Sequence, residues 1–310
     1  MRSVPIIVNP TAGGGRLLRS FADLDAAAHR CGVELDWCHT EFRGHGTGFA
    51  REAAEEGHPL VFAYGGDGTY NEVARGLLGS DTALGVLPGG TTSVLAYEFG
   101  IPRPAPAAIE ALIVGRDRAM RVGRTDRDEI FLLMLSSGPD VVVLEHLEAG
   151  IKKIGRSGVA LQALRELLRF RSMPTLEIAA AGKTITAGWA IVGTSRCYAG
   201  PYHATPGASP FAPSFEVVAQ RTVGRRFAVP FALGMPFGRH VRRRDVWRAM
   251  VDEVEILQAG GGRVRYQLDG DLAGELPVKA WIDPESLLVR LPGAAFDPVL
   301  TRNAAPAAVG

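Results

Sequence analysis

Three glycines surround one aspartate in the string V-F-A-Y-G-G-D-G-T-Y-N-E-V at residues 61–73. An apolar run of strand length precedes the glycines and apolar residues at helical spacing follow them, which predicts a strand, a turn and a helix. Gly65, Gly66 and Gly68 let the backbone approach a ligand and adopt φ > 0, so that several N–H groups could face one anion. Asp67 places a carboxylate among them, which favours a divalent cation or a hydroxyl that must lose its proton.

Two further glycine-rich loops follow predicted strands, N-P-T-A-G-G-G-R at 9–16 and P-G-G-T-T-S-V-L-A at 88–96. The first has neither the Gly-Lys-Ser/Thr ending of a Walker A loop nor the G-x-G-x-x-G spacing, and a mere turn explains it equally well. Thr40 ends another predicted strand, at 33–39. Because ligands gather at the carboxyl ends of strands in open α/β sheets, we expect these loops to open at one edge.

A fourth motif, Y-Q-L-D-G-D-L-A-G-E-L-P, stands at residues 266–277. Asp269-Gly270 alone is a strong signal for a β-hairpin turn, so a purely structural turn is the alternative to a functional motif. Asp271 and Glu275 place two further carboxylates in this motif.

The four motifs, in this order, resemble the diacylglycerol kinase catalytic domain family, which includes bacterial lipid kinases, sphingosine and ceramide kinases and, more distantly, NAD kinases. The resemblance implies ATP and Mg²⁺ as cofactors, Asp67 at the metal, and catalysis by Asp271 and Asp67. Asp271 stands where the family has its general base, and Glu275 is the substitute candidate for that role. The resemblance further implies that the nucleotide is bound by Asn9, Thr11, Gly13, Thr40, Gly65, Gly66, Asp67, Gly68, Thr69, Tyr70, Asn71, Glu72, Gly90 and Thr91.

The chain departs from the family pattern at three places. Ser93 and Val94 replace an Asn-Asp pair; the serine is expected to cap the helix that follows, but valine can hold neither a cation nor a base. Asp271 replaces a glutamate and reaches ~1.5 Å less far. In the segment 206–214 an alanine and a proline, Ala212 and Pro213, replace an Asp-Gly pair, so the structural Mg²⁺ site of the second domain is expected to be absent.

Strands and helices alternate over the first 115 residues, which predicts an α/β domain with a doubly wound, mostly parallel sheet. From residue 116 to about 291 strands dominate, at 119–124, 130–137, 176–180, 185–193, 215–220, 251–257, 263–268, 278–282 and 287–291. This run predicts a β-rich, antiparallel, sandwich-like domain. The boundary is expected near residue 115, and the tail at about 292–310 is a candidate to return to the first domain.

The composition is that of a globular protein, with 46% hydrophobic and 22% charged residues among 310, which excludes a disordered or collagen-like chain. The net charge of +1 gives no overall attraction to nucleic acid or membrane. Three scattered cysteines, the absence of 18 consecutive apolar residues and a short apolar N-terminus favour a reduced, cytoplasmic setting.

Two local stretches of basic residues are candidates for peripheral contact with an anionic membrane surface. Residues 237–248 hold five arginines among aromatic and apolar residues. Basic side chains also flank an apolar segment at 159–168; these are Lys152, Lys153, Arg156, Arg165, Arg169 and Arg171. Solvated surfaces with salt bridges explain both stretches equally well.

The sequence therefore predicts a kinase that transfers the γ-phosphoryl of ATP to a lipid hydroxyl, on a diacylglycerol-like or sphingoid acceptor. Two alternatives stay open: a kinase for a soluble substrate, similar to NAD kinase, and a non-catalytic nucleotide or lipid sensor. No nucleic acid partner is expected, and a homodimer is left open.

Overall fold

The computed structural model describes residues 2–12, 17–90, 92–148 and 174–293. The chain divides into two compact units. The first comprises the described residues up to Met120 and those from Ser286 onward, and the second is Arg121–Glu285. No helix in the described part of the chain is long and apolar enough to cross a bilayer.

The first unit is an α/β domain. Its strands are β1 (Arg2–Val8), β2 (Val33–His39), β3 (Leu60–Gly65), β4 (Ala83–Pro88), the first part of β5 (Arg116–Thr125) and the last part of β18 (Val278–Leu291). Its helices are α1 (Phe21–Arg30), α2 (His45–Glu55), α3 (Asp67–Leu77), α4 (Val94–Glu98) and α5 (Ala105–Ile113), with a 3-10 turn at Leu17–Ser20.

The sheet of this unit has the order β2-β1-β3-β4-β18, and neighbouring strands are parallel. Every residue of β3 and β4 is buried. Strands buried on both faces are typical of parallel sheets that are covered by helices on each side. The predicted doubly wound α/β domain is thereby confirmed.

The second unit is rich in antiparallel strands. They are β6 (Ile130–Phe131), β7 (Met134–Ser137), β8 (Leu176–Ala180), β9 (Lys183–Ala187), β10 (Trp189–Gly193), β11 (Cys197–Tyr198), β12 (Tyr202–His203), β13 (Phe215–Gln220), β14 (Val246–Val251), β15 (Glu253–Gln258), β16 (Arg265–Leu268) and β17 (Asp271–Glu275). Its helices are α6 (Pro139–Glu148) and α7 (Arg225–Gly234), followed by 3-10 turns at Met235–Phe237 and His240–Arg242.

Two antiparallel sheets pack around one core in this unit. One has the order β14-β13-β10-β7-β16-β17, and the other runs from the first part of β18 through β15 and β8 to β9. Phe131, Val192 and Phe215 meet Ile178 and Ile256 in a shared apolar cluster. The predicted β-rich, sandwich-like domain is thereby confirmed.

Several predicted strand boundaries are wrong, for local reasons. The run at 185–193 is two strands in different sheets, which separate at Gly188. The run at 251–257 likewise divides at Asp252 between β14 and β15, which belong to different sheets. Conversely, the runs at 278–282 and 287–291 form the single strand β18. Helices α6 and α7 were not predicted.

Candidate active site

The carboxyl ends of β1, β3 and β4 carry the three glycine-rich loops. In the order β2-β1-β3, the chain moves to opposite sides of β1 in successive connections, so β1 and β3 flank a topological switch point. Val8 pairs with Tyr64 in register, and the Asn9 amide donates to the Tyr64 carbonyl at 3.3 Å. Ligands of open α/β sheets bind at such a point.

The polar residues after β1 and β2 hold this edge together. The Asn9 side-chain oxygen accepts hydrogen bonds from the Thr11 amide at 3.0 Å and the Thr11 hydroxyl at 2.8 Å. Thr40 donates through its amide and its hydroxyl to the Val8 carbonyl, at 2.9 and 3.2 Å. Asn9 and Thr40 thus lie at adjacent strand ends, as predicted from their position, and Gly13 lies outside the described residues.

The glycines after β3 and β4 allow two backbones to come close. The Gly65 carbonyl accepts the Gly90 amide at 2.7 Å. A Cβ atom on Gly90 would lie 2.7 Å from the Gly66 Cα atom, and one on Gly65 would collide with the Thr69 side chain. Gly66 has φ −110°, and neither Gly65 nor Gly68 has a positive φ. The expected left-handed conformation is therefore wrong, and close packing is the reason for glycine.

Asp67 is the first residue of α3, but its carboxylate binds the start of α4. Its two oxygens accept the amides of Val94 at 2.9 Å and Leu95 at 3.0 Å. Ser93 was expected to cap α4, and this is wrong: it has φ 47° and makes no side-chain cap hydrogen bond. Its hydroxyl instead accepts the Gly90 amide at 3.2 Å. The distant carboxylate thus replaces the local cap.

Tyr70, Asn71 and Glu72 of the 61–73 string all have hydrogen-bond partners within the first unit. Tyr70 is fully buried, and its hydroxyl lies 2.9 Å from the carbonyl oxygens of both Gly65 and Leu87. Glu72 accepts an amide from the first turn of α2 at 3.3 Å, and Asn71 accepts from a neighbouring arginine at 3.1 Å. Tyr70 therefore supports the loop and Glu72 joins α3 to α2, whereas Gly68 is exposed to solvent.

The surroundings of the Asp67 carboxylate decide whether it could bind magnesium. Burial raises the pKa of the Asp67 carboxyl, and the amides of Leu95 and Val94 oppose that shift. Among the described residues, no group of three His, Cys, Asp or Glu side chains could hold a metal ion. These residues do not fit a protein-built Mg²⁺ site. A single carboxylate is compatible only with an ion that arrives bound to nucleotide phosphates.

One cation beside the third loop was missed by the sequence reasoning. Arg103 is exposed, and its Nη1 atom donates to the Thr92 carbonyl at 3.1 Å. Its guanidinium lies 5.0 Å from the ring centre of Tyr97 in α4. Thr91 lies outside the described residues. A lone arginine after a predicted helix gives no sequence signal of this position.

The fourth motif forms a tight hairpin in the second unit. Asp269 and Gly270 both have positive φ, 54° and 93°, and join β16 to β17 where Leu268 pairs with Asp271. This is the geometry of a two-residue hairpin turn, as the Asp-Gly signal predicts. The Asp269 carboxylate accepts three backbone amides of residues 132–134, at 2.8, 2.8 and 3.0 Å. Those bonds interrupt the strand predicted at 130–137.

Asp271 is exposed at the first position of β17. Its carboxylate makes no hydrogen bond or ion pair within the part of the chain that the structure describes. The substitute candidate Glu275 lies 3.5 Å from Arg263 in an ion pair. Of these two carboxylates, Asp271 is therefore the one available to an incoming group.

A buried polar chain that sequence reasoning missed leads to the same turn. The Gly270 amide donates to the Gln267 side-chain oxygen at 2.6 Å, and the Gln267 amide group donates to the Ser136 hydroxyl at 2.6 Å. Ser136 and Tyr198 both donate to the Asp140 carboxylate. Burial raises the pKa of Asp140. These polar residues stand singly among apolar ones in the sequence, so no sequence pattern indicated that they contact one another.

Two of the five arginines in the basic stretch at 237–248 have acidic partners. Arg243 binds Asp245 through two hydrogen bonds of 2.9 and 2.8 Å, and Arg248 pairs with the buried Glu216. Arg239, Arg242 and Arg244 have no carboxylate at ion-pair distance among the described residues, so both interpretations of the stretch stay open. The second stretch, from Lys152 to Arg171, lies outside the described residues.

Comparisons with known proteins cover both units. Residues 3–125 match the diacylglycerol kinase catalytic domain, and residues 134–291 match the YegS C-terminal NAD kinase beta sandwich-like domain. A diacylglycerol kinase of Mycobacterium tuberculosis (strain H37Rv) is 25% identical over 300 residues, which cover 93% of this chain and 95% of that protein.

Two other matches differ in extent. A diacylglycerol kinase of Bacillus subtilis (strain 168) is 36% identical over 129 residues, 41% of this chain and 43% of that protein, so this match spans less than half of the relative. A crystal structure of a diacylglycerol kinase from Bacillus anthracis strain Sterne superposes with a TM-score of 0.70 at 17% identity. It covers 95% of this chain and 98% of that one, which shows a shared fold.

The motif order, the two folds and both domain matches agree, and the chain belongs to the family that joins a diacylglycerol kinase catalytic domain to a YegS-type C-terminal domain.

Proposed function

We propose that this protein is a lipid kinase that transfers the γ-phosphoryl group of ATP to a hydroxyl of a lipid. The observation that carries the proposal is the junction of Gly65, Gly66 and Gly90 at the switch point of the parallel sheet. Two strand ends with no intervening side chains leave backbone groups accessible to a polyphosphate. The names of the relatives supply the class of acceptor.

The nucleotide half of the proposed reaction belongs to the first unit. Helix α3 has 11 residues and begins at Asp67 directly after the Gly65-Gly66 turn, and its N-terminal end carries the positive pole of the helix dipole. Phosphate groups would bind there and at the Gly90 loop. Asn9, Thr11 and Thr40 shape the adjacent strand ends, and Gly13 and Thr91 stay predicted contacts.

Magnesium enters this proposal as part of the substrate, MgATP. The ion would neutralise charge that develops on the phosphate oxygens. Asp67 is the carboxylate at the loop that could face it, while both of its oxygens also bind amides of α4. Gly65, Gly66 and Gly90 carry no side chains, so they leave the space beside the loop open to the phosphate groups.

Asp271 is the proposed general base. Its carboxylate would take the proton of the acceptor hydroxyl while that oxygen forms a bond to the γ-phosphorus. The bond from the γ-phosphorus to the bridging oxygen of ADP breaks, and ADP leaves. The Asp269-Gly270 turn fixes the backbone next to Asp271, because Asp269 is held by three amides.

The acceptor is proposed to be diacylglycerol-like or sphingoid, and the site of action to be the cytoplasm with peripheral membrane contact. A second candidate function is phosphorylation of a soluble nucleotide such as NAD⁺, because the second domain matches a domain described as NAD kinase beta sandwich-like. A match to a diacylglycerol kinase over 93% of the chain favours the lipid.

The experiment is incubation with radiolabelled ATP, Mg²⁺ and diacylglycerol, sphingosine, ceramide or NAD⁺, with identification of the labelled product. Labelled lipid supports the proposal, and labelled NAD⁺ supports the second candidate. The absence of transfer to every acceptor would contradict both kinase candidates and favour a nucleotide or lipid sensor.

Asp271→Asn is the matching variant, and its kcat should fall by about 10²- to 10⁴-fold, the usual contribution of a general base. Nucleotide affinity should not change, because Asp271 is not among the phosphate loops. Asp271→Glu lengthens the side chain by one methylene and should keep or raise the rate. An Asp271→Asn enzyme that turns over like the parent would remove Asp271 from the mechanism.

A further inference from the structure

Helix α7 and the two 3-10 turns after it, residues 225–242, expose an unusual face. Arg226, Pro230, Leu233 and Phe237 are exposed and follow one another at spacings of four, three and four residues. Such spacing places the first three side chains on one side of α7, and Phe237 follows in the first 3-10 turn. The buried residues of the same segment alternate with them and are Ala228, Phe231, Met235 and His240.

The exposed side of this segment is apolar where a surface helix is ordinarily polar. Leu233 is 56% exposed and Phe237 is 73% exposed. The opposite side is anchored, because Phe231 lies 5.1 Å from the ring of Trp189 and 5.2 Å from that of His240. His240 also bonds the Ala204 carbonyl at 2.8 Å through Nε2. The orientation of the exposed side is therefore fixed by the core.

The charge of this segment has one sign. Residues 225–242 contain four arginines and no aspartate or glutamate. Within the described ranges, Arg226, Arg239 and Arg242 have no carboxylate at ion-pair distance, in contrast to Arg243 with its bond to Asp245. The Arg239 guanidinium lies 5.7 Å from the ring centre of Phe237. Cations thus stand directly beside the exposed aromatic ring.

We propose that the α7 face, formed by Arg226, Pro230, Leu233, Phe237, Arg239 and Arg242, binds the surface of an anionic lipid bilayer. Leu233 and Phe237 would enter the boundary between headgroups and acyl chains, while the arginines contact lipid phosphates. Exposed apolar side chains with uniformly positive neighbours are the pattern of interfacial segments. The lipid surface is favoured over a protein partner because it supplies negative charge along the whole face.

The test is sedimentation of the full chain, without ATP, with vesicles of phosphatidylcholine alone or with 30 mol% phosphatidylglycerol. The parent should bind the anionic vesicles more tightly than the neutral ones. Arg239→Gln with Arg242→Gln should weaken partition into anionic vesicles by roughly thirtyfold, as expected for two arginines near a charged surface. Leu233→Ser with Phe237→Ser, which leaves the charge unchanged, should weaken it by at least about tenfold.

The matched control is Arg51→Gln with Arg116→Gln, which removes two exposed arginines of the first unit and leaves the α7 face intact. Its partition should change by less than about threefold. All variants should melt like the parent, because only exposed side chains change.

The proposal is overturned if the serine variant binds like the parent, if the control variant loses as much binding as the α7 variant, or if the parent fails to bind anionic vesicles. A concentration-dependent dimer that is lost in the serine variant would also overturn it, in favour of self-association. Because binding is measured without phosphoryl transfer, its failure is distinguishable from failure of the proposed kinase activity.

Discussion

Asp67 links two helices that are separated along the chain. Its carboxylate is part of α3 but accepts the amides of Val94 and Leu95 at 2.9 and 3.0 Å, at the start of α4. Those two N–H groups have no partner within their own helix. From its place between glycines, Asp67 is expected to contribute little to packing. Its two contacts with α4 show that it also contributes to the stability of the fold.

We expect Asp67→Ala to abolish phosphoryl transfer and also to lower the free energy of unfolding by about 2 to 4 kcal/mol, because two buried amides lose their acceptor. Urea denaturation monitored by circular dichroism measures this. The control is Asp271→Ala, which removes an exposed carboxylate and should change stability by less than about 0.5 kcal/mol. Equal stabilities of the two variants would show that the contact to α4 contributes nothing.

Ser93 and Tyr70 show what residue types alone could not reveal. Ser93 has φ 47°, a conformation in which asparagine is more frequent than serine, so the asparagine of the family pattern fits this backbone. Tyr70 stood in the motif as a nucleotide contact, but it is fully buried against two carbonyl groups. A sequence motif predicts that its residues lie close together in the fold. The direction of each side chain depends on contacts with strands that are distant in sequence, which the motif does not show.

At the scale of elements, the β16–β17 hairpin carries the proposed base on a backbone that is fixed from two sides. Asp269 binds the amides of residues 132–134, and Gln267 bonds the Gly270 amide at 2.6 Å. Gln267 is buried and bonds Ser136 in turn. We therefore expect Gln267 to act as a positioning residue for Asp271.

Gln267→Leu should lower kcat by about tenfold to a hundredfold, since a displacement of about 1 Å in a catalytic group has effects of this size. The KM for ATP should stay unchanged, because the phosphate loops lie elsewhere in the chain. Steady-state kinetics below the melting temperature measures both constants. Gln258→Leu, the same change at the partly buried end of β15, is the control and should leave kcat unchanged.

The combination of Gln267→Leu with Asp271→Asn separates positioning from general damage. If Gln267 acts through Asp271, the double variant should be no slower than Asp271→Asn alone, since residues that act as a unit are not additive. An additional tenfold loss in the double variant would assign Gln267 a purely structural role.

The sequence predicted the elements of the α/β half well, because buried parallel strands and amphipathic helices have distinct apolar periods. It failed where a strand changes sheets. Gly188 and Asp252 each separate two strands of different sheets, yet apolar residues continue on both sides. A continuous apolar run indicates that its residues are buried. Because residues are buried in both sheets of a sandwich, the run does not show where the chain passes from one sheet to the other.

At the scale of the whole molecule, both fold classes could be predicted from the sequence, whereas the polar interior of the second unit could not. Asp140 is buried, and its Oδ1 atom has no hydrogen-bond partner among the residues that the structure describes. Ser136 and Tyr198 donate to its other oxygen. Such a group affects the stability of the entire fold, because global unfolding transfers it to water.

Asp140 therefore predicts a pH dependence of unfolding with a definite sign. Burial raises the pKa of this carboxyl above its unfolded value of about 3.9. Between the two pKa values the unfolded chain has lost the proton and the folded chain has kept it, so folding stability falls as pH rises through this range. Tyr198 stays neutral there, because burial and the nearby Asp140 carboxylate raise its pKa as well.

We accordingly expect Asp140→Asn, which cannot ionise, to gain stability relative to the parent as pH rises from 4 toward 8. Thermal melting of both proteins across this range measures the difference, where 1 kcal/mol corresponds to about 1.5 °C for 310 residues. The other carboxylates are common to both proteins and cancel in the comparison. Asp271→Asn, at an exposed position, serves as the control and should follow the parent. A difference between Asp140→Asn and parent that stays constant with pH would contradict the assignment of a raised pKa to Asp140.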